Sequence, residues 1–383
     1  MAIAASIADY RALARRRLPR MLFDYIDGGA YSETTLARNQ ADFATLRLRQ
    51  RVLKDVSRLN LETALFGQKL AMPVVLAPVG MAGMYARRGE AAAARAAQAA
   101  GVNLCLSTLS ICAVEEVSAA VSQPIWFQLY VAKDRGIARD MLARARTAGC
   151  PVLVVTVDLA TPGTRYRDAR SGLTGRLSPL ARLRKAWQGL SHPRWLMDVY
   201  LAGRPHDFGN VVPYIPQATV ESDYWAWITK MIDPSLDWKD IAWLRREWPG
   251  PLVVKGILDP DDAREAVRAG VDGIVVSNHG GRQLDATSSS IAALPRIADA
   301  IGTSLTVLMD GGVRSGLDVL AALASGAQGI LLGRAWAYAL AARGQAGVAH
   351  MLDLLRKELV TAMMLTGCTD IGAAGAHLLI APD

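Results

Sequence analysis

Cysteine is scarce and scattered: Cys105, Cys112, Cys150 and Cys368 are the four in 383 residues, and no Cys-x-x-Cys pair occurs. That excludes a dense disulfide framework and points to buried thiols in a reducing cytosol. Unbroken apolar runs are missing too. The stretch from Met72 to Met84 is interrupted by Pro73, Pro78, Gly80 and Gly83, so no transmembrane span is expected. No signal-peptide core is found at the N-terminus, where Arg15, Arg16 and Arg17 sit inside a helical pattern. Zinc-ligand spacings, aromatic–basic interleaving and basic tails are also lacking, which excludes the common nucleic-acid binders and leaves no metal site to expect. The net charge of +8 therefore points to an anionic substrate, a phosphate-bearing cofactor or an anionic membrane surface.

What is present is a rhythm. The chain is 51% hydrophobic and 20% charged, so it can bury a large core. Residues 1–70 read as a helical preface, with Ser6 and Asp9 placed as a helix start and Gly28-Gly29 closing a second short helix. From residue 72 short apolar strands alternate with helical patterns: strands at 73–78, 103–108, 125–130, 152–158, 252–255, 273–276, 306–310 and 329–332. Eight such units predict an α/β fold, a (β/α)8 TIM barrel formed by residues 72–158 and 250–345. No Gly-x-Gly-x-x-Gly follows the first strand, which disfavours an open dinucleotide-binding sheet. Residues 159–249 form an insertion after the fourth strand, and 346–383 a C-terminal helix and tail, all within one domain.

The insertion mixes Arg182, Arg184, Lys185 and Arg194 with Trp187, Trp195, Leu196 and Tyr200. Two readings stand side by side: a helix lying on an anionic bilayer surface, or a lid packed over the barrel mouth.

Polar residues collect at the carboxyl ends of the strands: Ser107, Thr108, Gln128, Tyr130, Thr156, Asp158, Lys255, His279 and Asp310. In a barrel those ends converge on one mouth, where active sites lie. Within Ser277-Asn-His-Gly-Gly-Arg282, His279 supplies an imidazole suited to act as a base and Arg282 a two-pronged carboxylate clamp. After the seventh strand comes Asp310-Gly-Gly-Val-Arg314 and after the eighth Gly333-Arg334; glycines admit a phosphate to backbone N–H groups and arginine adds charge. A phosphate-bearing cofactor beside a histidine base follows from these residues alone.

The stretch Ser277 to Asp285 resembles the signature of the FMN-dependent α-hydroxy-acid dehydrogenase and oxidase family. The resemblance runs from Tyr10 to about Gly367 and includes Phe23 to Ala30, Leu76 to Gly80, Trp126 to Tyr130, Thr156-Val-Asp158 and Lys255-Gly256. Gly83 to Gly89, Thr161 to Asp168 and Gly203 to Asp207 are similar, more narrowly, to bacterial quinone-linked L-lactate dehydrogenases.

That resemblance implies FMN as cofactor and L-lactate as substrate. It implies His279 as the base, supported by Asp158, with Tyr25, Tyr130, Arg165 and Arg282 on the substrate. It implies Ala77, Pro78, Val79, Ser107, Gln128, Thr156 and Ser277 at the flavin ring, and Lys255 at the ring edge where negative charge accumulates. Asp310, Gly311, Gly312, Arg314, Gly333 and Arg334 would take the ribityl chain and phosphate. Quinone as electron acceptor, peripheral attachment to the cytoplasmic side of the inner membrane and a homo-oligomer, tetrameric in the family, complete the expectation. Oxygen as acceptor, mandelate or glycolate as substrate, an FMN barrel isomerase and a non-catalytic flavin-binding protein are the alternatives.

Overall fold

The repeating apolar segments pair in the order in which they occur. The computed structural model describes residues 3–173, 179–216 and 224–380. A short antiparallel hairpin, β1 (Thr63–Leu65) and β2 (Gln68–Leu70), precedes eight parallel strands that close into a barrel. These are β3 (Val74–Leu76), β4 (Asn103–Ser107), β5 (Trp126–Leu129), β6 (Leu153–Thr156), β7 (Leu252–Ile257), β8 (Gly273–Val276), β9 (Thr306–Asp310) and β10 (Gly329–Leu332). β10 pairs with β3 to complete the ring, so the fold is the predicted (β/α)8 barrel.

All eight strands are buried along their whole length or nearly so, because helices cover the outside and side chains fill the inside. Val75, Val154, Val253, Val275, Leu308 and Leu331 point into the barrel and pack with Leu65 and Leu70 of the hairpin. Phe66, at the hairpin turn, meets Trp126 edge-on at 5.5 Å between ring centroids. The hairpin thus plugs the amino-terminal end of the barrel, leaving the other end for chemistry. Here the structure differs from the helical preface expected over 1–70. Helices occupy Ile7–Arg17, Arg20–Asp27 and Thr34–Ala41, but three-residue strands are too short to show an alternating pattern in sequence.

Helix starts follow local chemistry. Ser6 and Asp9 form a reciprocal capping box, and Asp134, Asp259, Ser289 and Ser315 each accept a backbone N–H at a helix start. The last helical segment, Arg334–Thr366, breaks at Arg343 and Gly344, where the backbone leaves helical values, and continues into the C-terminal helix. All four cysteines are buried and unpaired.

The insertion between β6 and β7 is largely helical, with Tyr166–Ser171, Pro179–Leu190, Pro193–Trp195, Leu196–Leu201 and Tyr224–Met231 before Trp238–Glu247. It separates two tryptophans that the sequence placed together. Trp195 is buried and its indole N–H donates to the Met84 carbonyl at 2.8 Å. Trp187 is 69% exposed, in company with exposed Leu183, Leu190, Met197 and Leu201. The side chains of Arg182 and Arg184 lie outside the described residues.

Candidate active site

At the carboxyl ends of the strands lies a cavity of about 530 Å³. It is lined by the predicted Tyr25, Tyr130, Arg165, His279 and Arg282 on one side and by Asp310, Gly311, Gly312, Arg314, Gly333 and Arg334 on the other. Ala77, Pro78, Val79, Ser107, Thr156 and Lys255 line it between them. Three predicted residues stand behind this lining: Gln128 within β5, and Asp158 and Ser277, which face a neighbouring cavity.

His279 follows β8 with φ of 56°, a left-handed conformation unusual for a residue with a side chain. The strain is held by its surroundings. Its backbone N–H donates to Ser277 Oγ at 3.0 Å, and its Nδ1 lies 2.8 Å from Asp158 Oδ1. With Nδ1 committed to the carboxylate, Nε2 is the nitrogen left for a ligand in the cavity. Burial alone would push the Asp158 carboxyl up, but His279 and Lys255 outweigh it and hold the group below its usual range. Asp158 therefore remains an anion suited to stabilise an imidazolium.

Gly256 makes the room for this pair. It sits at a register shift between β7 and β8 with φ of 113°. A Cβ there would lie 2.7 Å from the Asp158 Cβ.

Tyr25, in the last turn of Arg20–Asp27, lies between two guanidiniums: Arg282 at 4.8 Å and Arg165 at 5.5 Å from its ring centroid. Arg282 is aimed by the Tyr25 and Gly28 carbonyls, which accept from it at 2.5 and 2.9 Å. Arg165 pairs with Asp168 at 3.0 Å, and burial together with Arg282 pushes its guanidinium down. Two close cations in a largely buried cavity favour an anion between them. Burial and the Asp158 charge push the Tyr130 phenol up, so it stays a hydrogen-bond donor.

On the other side Lys255, buried at 4% exposure, pairs with Asp310 at 2.8 Å and donates to Ser277 Oγ at 2.8 Å. Burial would lower its ammonium, yet Asp310 and Asp158 outweigh that and raise it. Arg314 donates to the Val313 carbonyl, and Arg334 to the Ile26, Gly28 and Gly280 carbonyls. Among the described residues neither arginine is in an ion pair. Burial, with Arg282 and Arg314 nearby, pushes the Arg334 guanidinium down to about 10. Cations held in this way fit a dianionic phosphate. Gly311 and Gly312 turn beside them at φ of 91° and 88°, and a Cβ at Gly333 would meet nothing within 4 Å. Gln128 Nε2, Thr156 Oγ and Asp310 Oδ1 are buried without a hydrogen-bond partner. Such orphans are rare unless a ligand or water completes them.

The chain matches the model of the FMN-dependent dehydrogenase family over residues 14–381. It belongs to that family. It is 58% identical over 380 residues to a protein of Pectobacterium atrosepticum named L-lactate dehydrogenase, covering 99% of this chain and 97% of that protein. A protein of the same name from Caulobacter sp. strain K31 is 58% identical over 381 residues, covering 100% of both. Among solved structures, a monotopic membrane (S)-mandelate dehydrogenase superposes with a TM-score of 0.92 at 36% identity over 100% of both chains. A mandelate oxidase superposes with 0.81 at 37% identity over 97% of each. FMN is the cofactor of this dehydrogenase, and the orphaned polar atoms, the glycine turns and the two unpaired guanidiniums fit it.

The sequence reading left unassigned several residues that shape this dehydrogenase's site. Asp168 is 2% exposed, lines the cavity and holds Arg165; burial pushes its carboxyl up, against the pull of Arg165. Asn39 and Asn278 exchange amide hydrogen bonds at 2.9 and 2.8 Å, tying the Thr34–Ala41 helix to the histidine loop. Gln283 donates to the Asp158 and Thr161 carbonyls and so straps the two loops that carry the dyad. The close Arg165–Asp168 spacing was the available signal; the other pairings join residues more than 120 positions apart and leave none.

Proposed function

We propose that this FMN-dependent dehydrogenase oxidises L-lactate to pyruvate, with His279 as the base and membrane quinone as the final electron acceptor. The observation that carries the reading is His279, held through Nδ1 by Asp158 Oδ1 at 2.8 Å and lining the same cavity as Arg165, Arg282 and Tyr25. Two full-length relatives named L-lactate dehydrogenase at 58% identity support lactate over mandelate.

Arg165 and Arg282 bind the substrate carboxylate, and Tyr130 donates to its polar oxygen, so the α-carbon is oriented before reaction. His279 Nε2 takes a proton from the substrate, and Asp158 stabilises the resulting imidazolium. FMN, when bound, supplies the two-electron acceptor. Ser107, Gln128, Thr156 and Lys255 would hold its ring, and Arg314 and Arg334 its phosphate. Lys255, kept charged by Asp310, stabilises negative charge developing nearby.

Peripheral attachment to the cytoplasmic face of the inner membrane accompanies the quinone reading. No helix among the described residues is long and apolar enough to cross a membrane. The exposed Leu183, Trp187, Leu190, Met197 and Leu201 support a face that lies on a bilayer instead.

The test is an anaerobic absorption spectrum of the purified holoenzyme before and after L-lactate, then mandelate and glycolate. Rapid bleaching by L-lactate is the expected result, with colour restored by a quinone. Bleaching by mandelate alone would move the substrate. Bound flavin that no hydroxy acid reduces would remove the dehydrogenase assignment to lactate altogether.

A further inference from the structure

The cavity has one stretch of wall that does not resemble the rest. Of the residues lining it, Pro162, Thr229 and Lys230 are exposed, whereas the catalytic and phosphate-facing sides are buried or half-buried. These three mark its rim. Beside them the lining turns aliphatic, with Leu173, Ile228 and Ile232. All six belong to the insertion between β6 and β7 or its edge, and none has a part in the proton and carboxylate chemistry described above. Ile228, Thr229 and Lys230 share the helix Tyr224–Met231. Lys230 is the single ammonium at this rim, and among the described residues no ion pair engages it.

The same insertion carries the exposed apolar face of Pro179–Leu190 and Leu196–Leu201. The helix Pro179–Leu190 is itself tied to the start of the insertion. Gln188, on Pro179–Leu190, accepts from the Met21 N–H at 2.9 Å and donates to the Ser171 carbonyl at 3.3 Å, two residues before Leu173. The exposed apolar face and the rim that carries Lys230 thus belong to one and the same insertion.

An aliphatic wall with one ammonium donor suits a ligand with a flat, largely apolar body and a carbonyl acceptor. Hydrophilic anions such as lactate gain nothing from Leu173, Ile228 and Ile232. We propose that Leu173, Ile228 and Ile232 form the docking wall for the ring of a membrane quinone, and that Lys230 donates to one of its carbonyl oxygens. This inference rests on the quinone reading given above and adds to it the place of entry and the residues that recognise the ring. Two electrons and two protons convert the quinone to a quinol; lactate oxidation supplies both electrons and both protons, so the exchange balances.

The experiment uses holoenzyme reduced anaerobically with L-lactate, freed of excess substrate, and mixed with a short-chain benzoquinone or with ferricyanide. Wild type, Lys230→Ala and Ile228→Trp are compared, with flavin content and melting temperature confirming the fold. In each variant the ratio of the quinone rate to the ferricyanide rate should fall about tenfold, the scale of one charge-assisted hydrogen bond or a blocked wall. Equilibrium binding of the same quinone to the oxidised holoenzyme should weaken about tenfold in Lys230→Ala, a readout that involves no turnover. A wild-type enzyme that quinone fails to reoxidise would remove the acceptor reading itself. A wild type that quinone reoxidises, with the rate ratio preserved in both variants, would overturn the docking site alone. A raised KM for lactate in Lys230→Ala with the ratio unchanged would also overturn it, by assigning the ammonium to attraction of the anionic substrate.

Discussion

Arg282 and Arg334 share one acceptor: both donate to the carbonyl oxygen of Gly28, at 2.9 and 2.7 Å. One arginine faces the substrate side of the cavity and the other the phosphate side, and the end of a single short helix, Arg20–Asp27, aims both. Helix carbonyls left without intrahelical partners are natural sites for such cations. The two halves of the site are therefore built on one anchor.

Removing Arg334 should be felt on both halves. Arg334→Ala leaves the Ile26, Gly28 and Gly280 carbonyls each short of a donor. Stability should fall by about 1–3 kcal/mol, and purified protein should contain less flavin. Arg334→Lys should rescue little, because an ammonium cannot span three carbonyls as the planar fork does. Melting temperature and the ratio of flavin to protein absorbance measure both.

His279→Gln should retain flavin yet slow its reduction by L-lactate by about 10²- to 10⁴-fold, the range spanned by general bases. Stopped-flow absorbance reads this directly. Retained fast reduction would take the base assignment away from His279.

Gly256→Ala tests whether the dyad depends on the absence of a side chain beside Asp158. The new Cβ would sit 2.7 Å from the Asp158 Cβ, and φ of 113° is itself unfavourable for alanine. A loss of about 1–3 kcal/mol in stability is expected. If Asp158 is displaced as well, kcat should fall with little change in KM for lactate.

The pH dependence of stability separates the two buried charges. Asp158 is held below its ordinary value, so its contribution is present above about 4 and is lost as pH falls through the folded value. Lys255 is raised, so its contribution is complete below about 10.4 and is lost as pH rises through the folded value. The stability gap between wild type and Asp158→Asn should therefore close in acid. The gap for Lys255→Met should close in alkali. Thermal melts across pH 3–11 would show either gap failing to close.

Trp187→Glu combined with Leu183→Glu should reduce co-sedimentation with anionic vesicles, since both side chains are more than half exposed and apolar. Lactate-dependent reduction of ferricyanide should be unaffected, because neither residue lines the cavity. Unchanged sedimentation would place the membrane contact elsewhere.

Sequence by itself determined the barrel and the identity of its business end. Strand and helix periods are local properties, and eight apolar runs, six of them with polar residues at their carboxyl ends, specify both closure and the side on which chemistry collects. The histidine–arginine loop and the glycine–arginine turns were legible for the same reason: each is a short contiguous stretch whose chemistry does not depend on distant partners. Tertiary structure decided what could not be local. The hairpin that plugs the barrel has strands of three residues, too short for any pattern. Trp187 and Trp195 look alike in sequence, yet one faces solvent and the other packs under Met84, because the helix ends between them and the chain turns. Arg334 reaches Gly28 across 306 positions, and Asn278 reaches Asn39 across 239. Such pairs form only when folding has already brought the strand ends together, and it is these that hold the predicted residues at working distance.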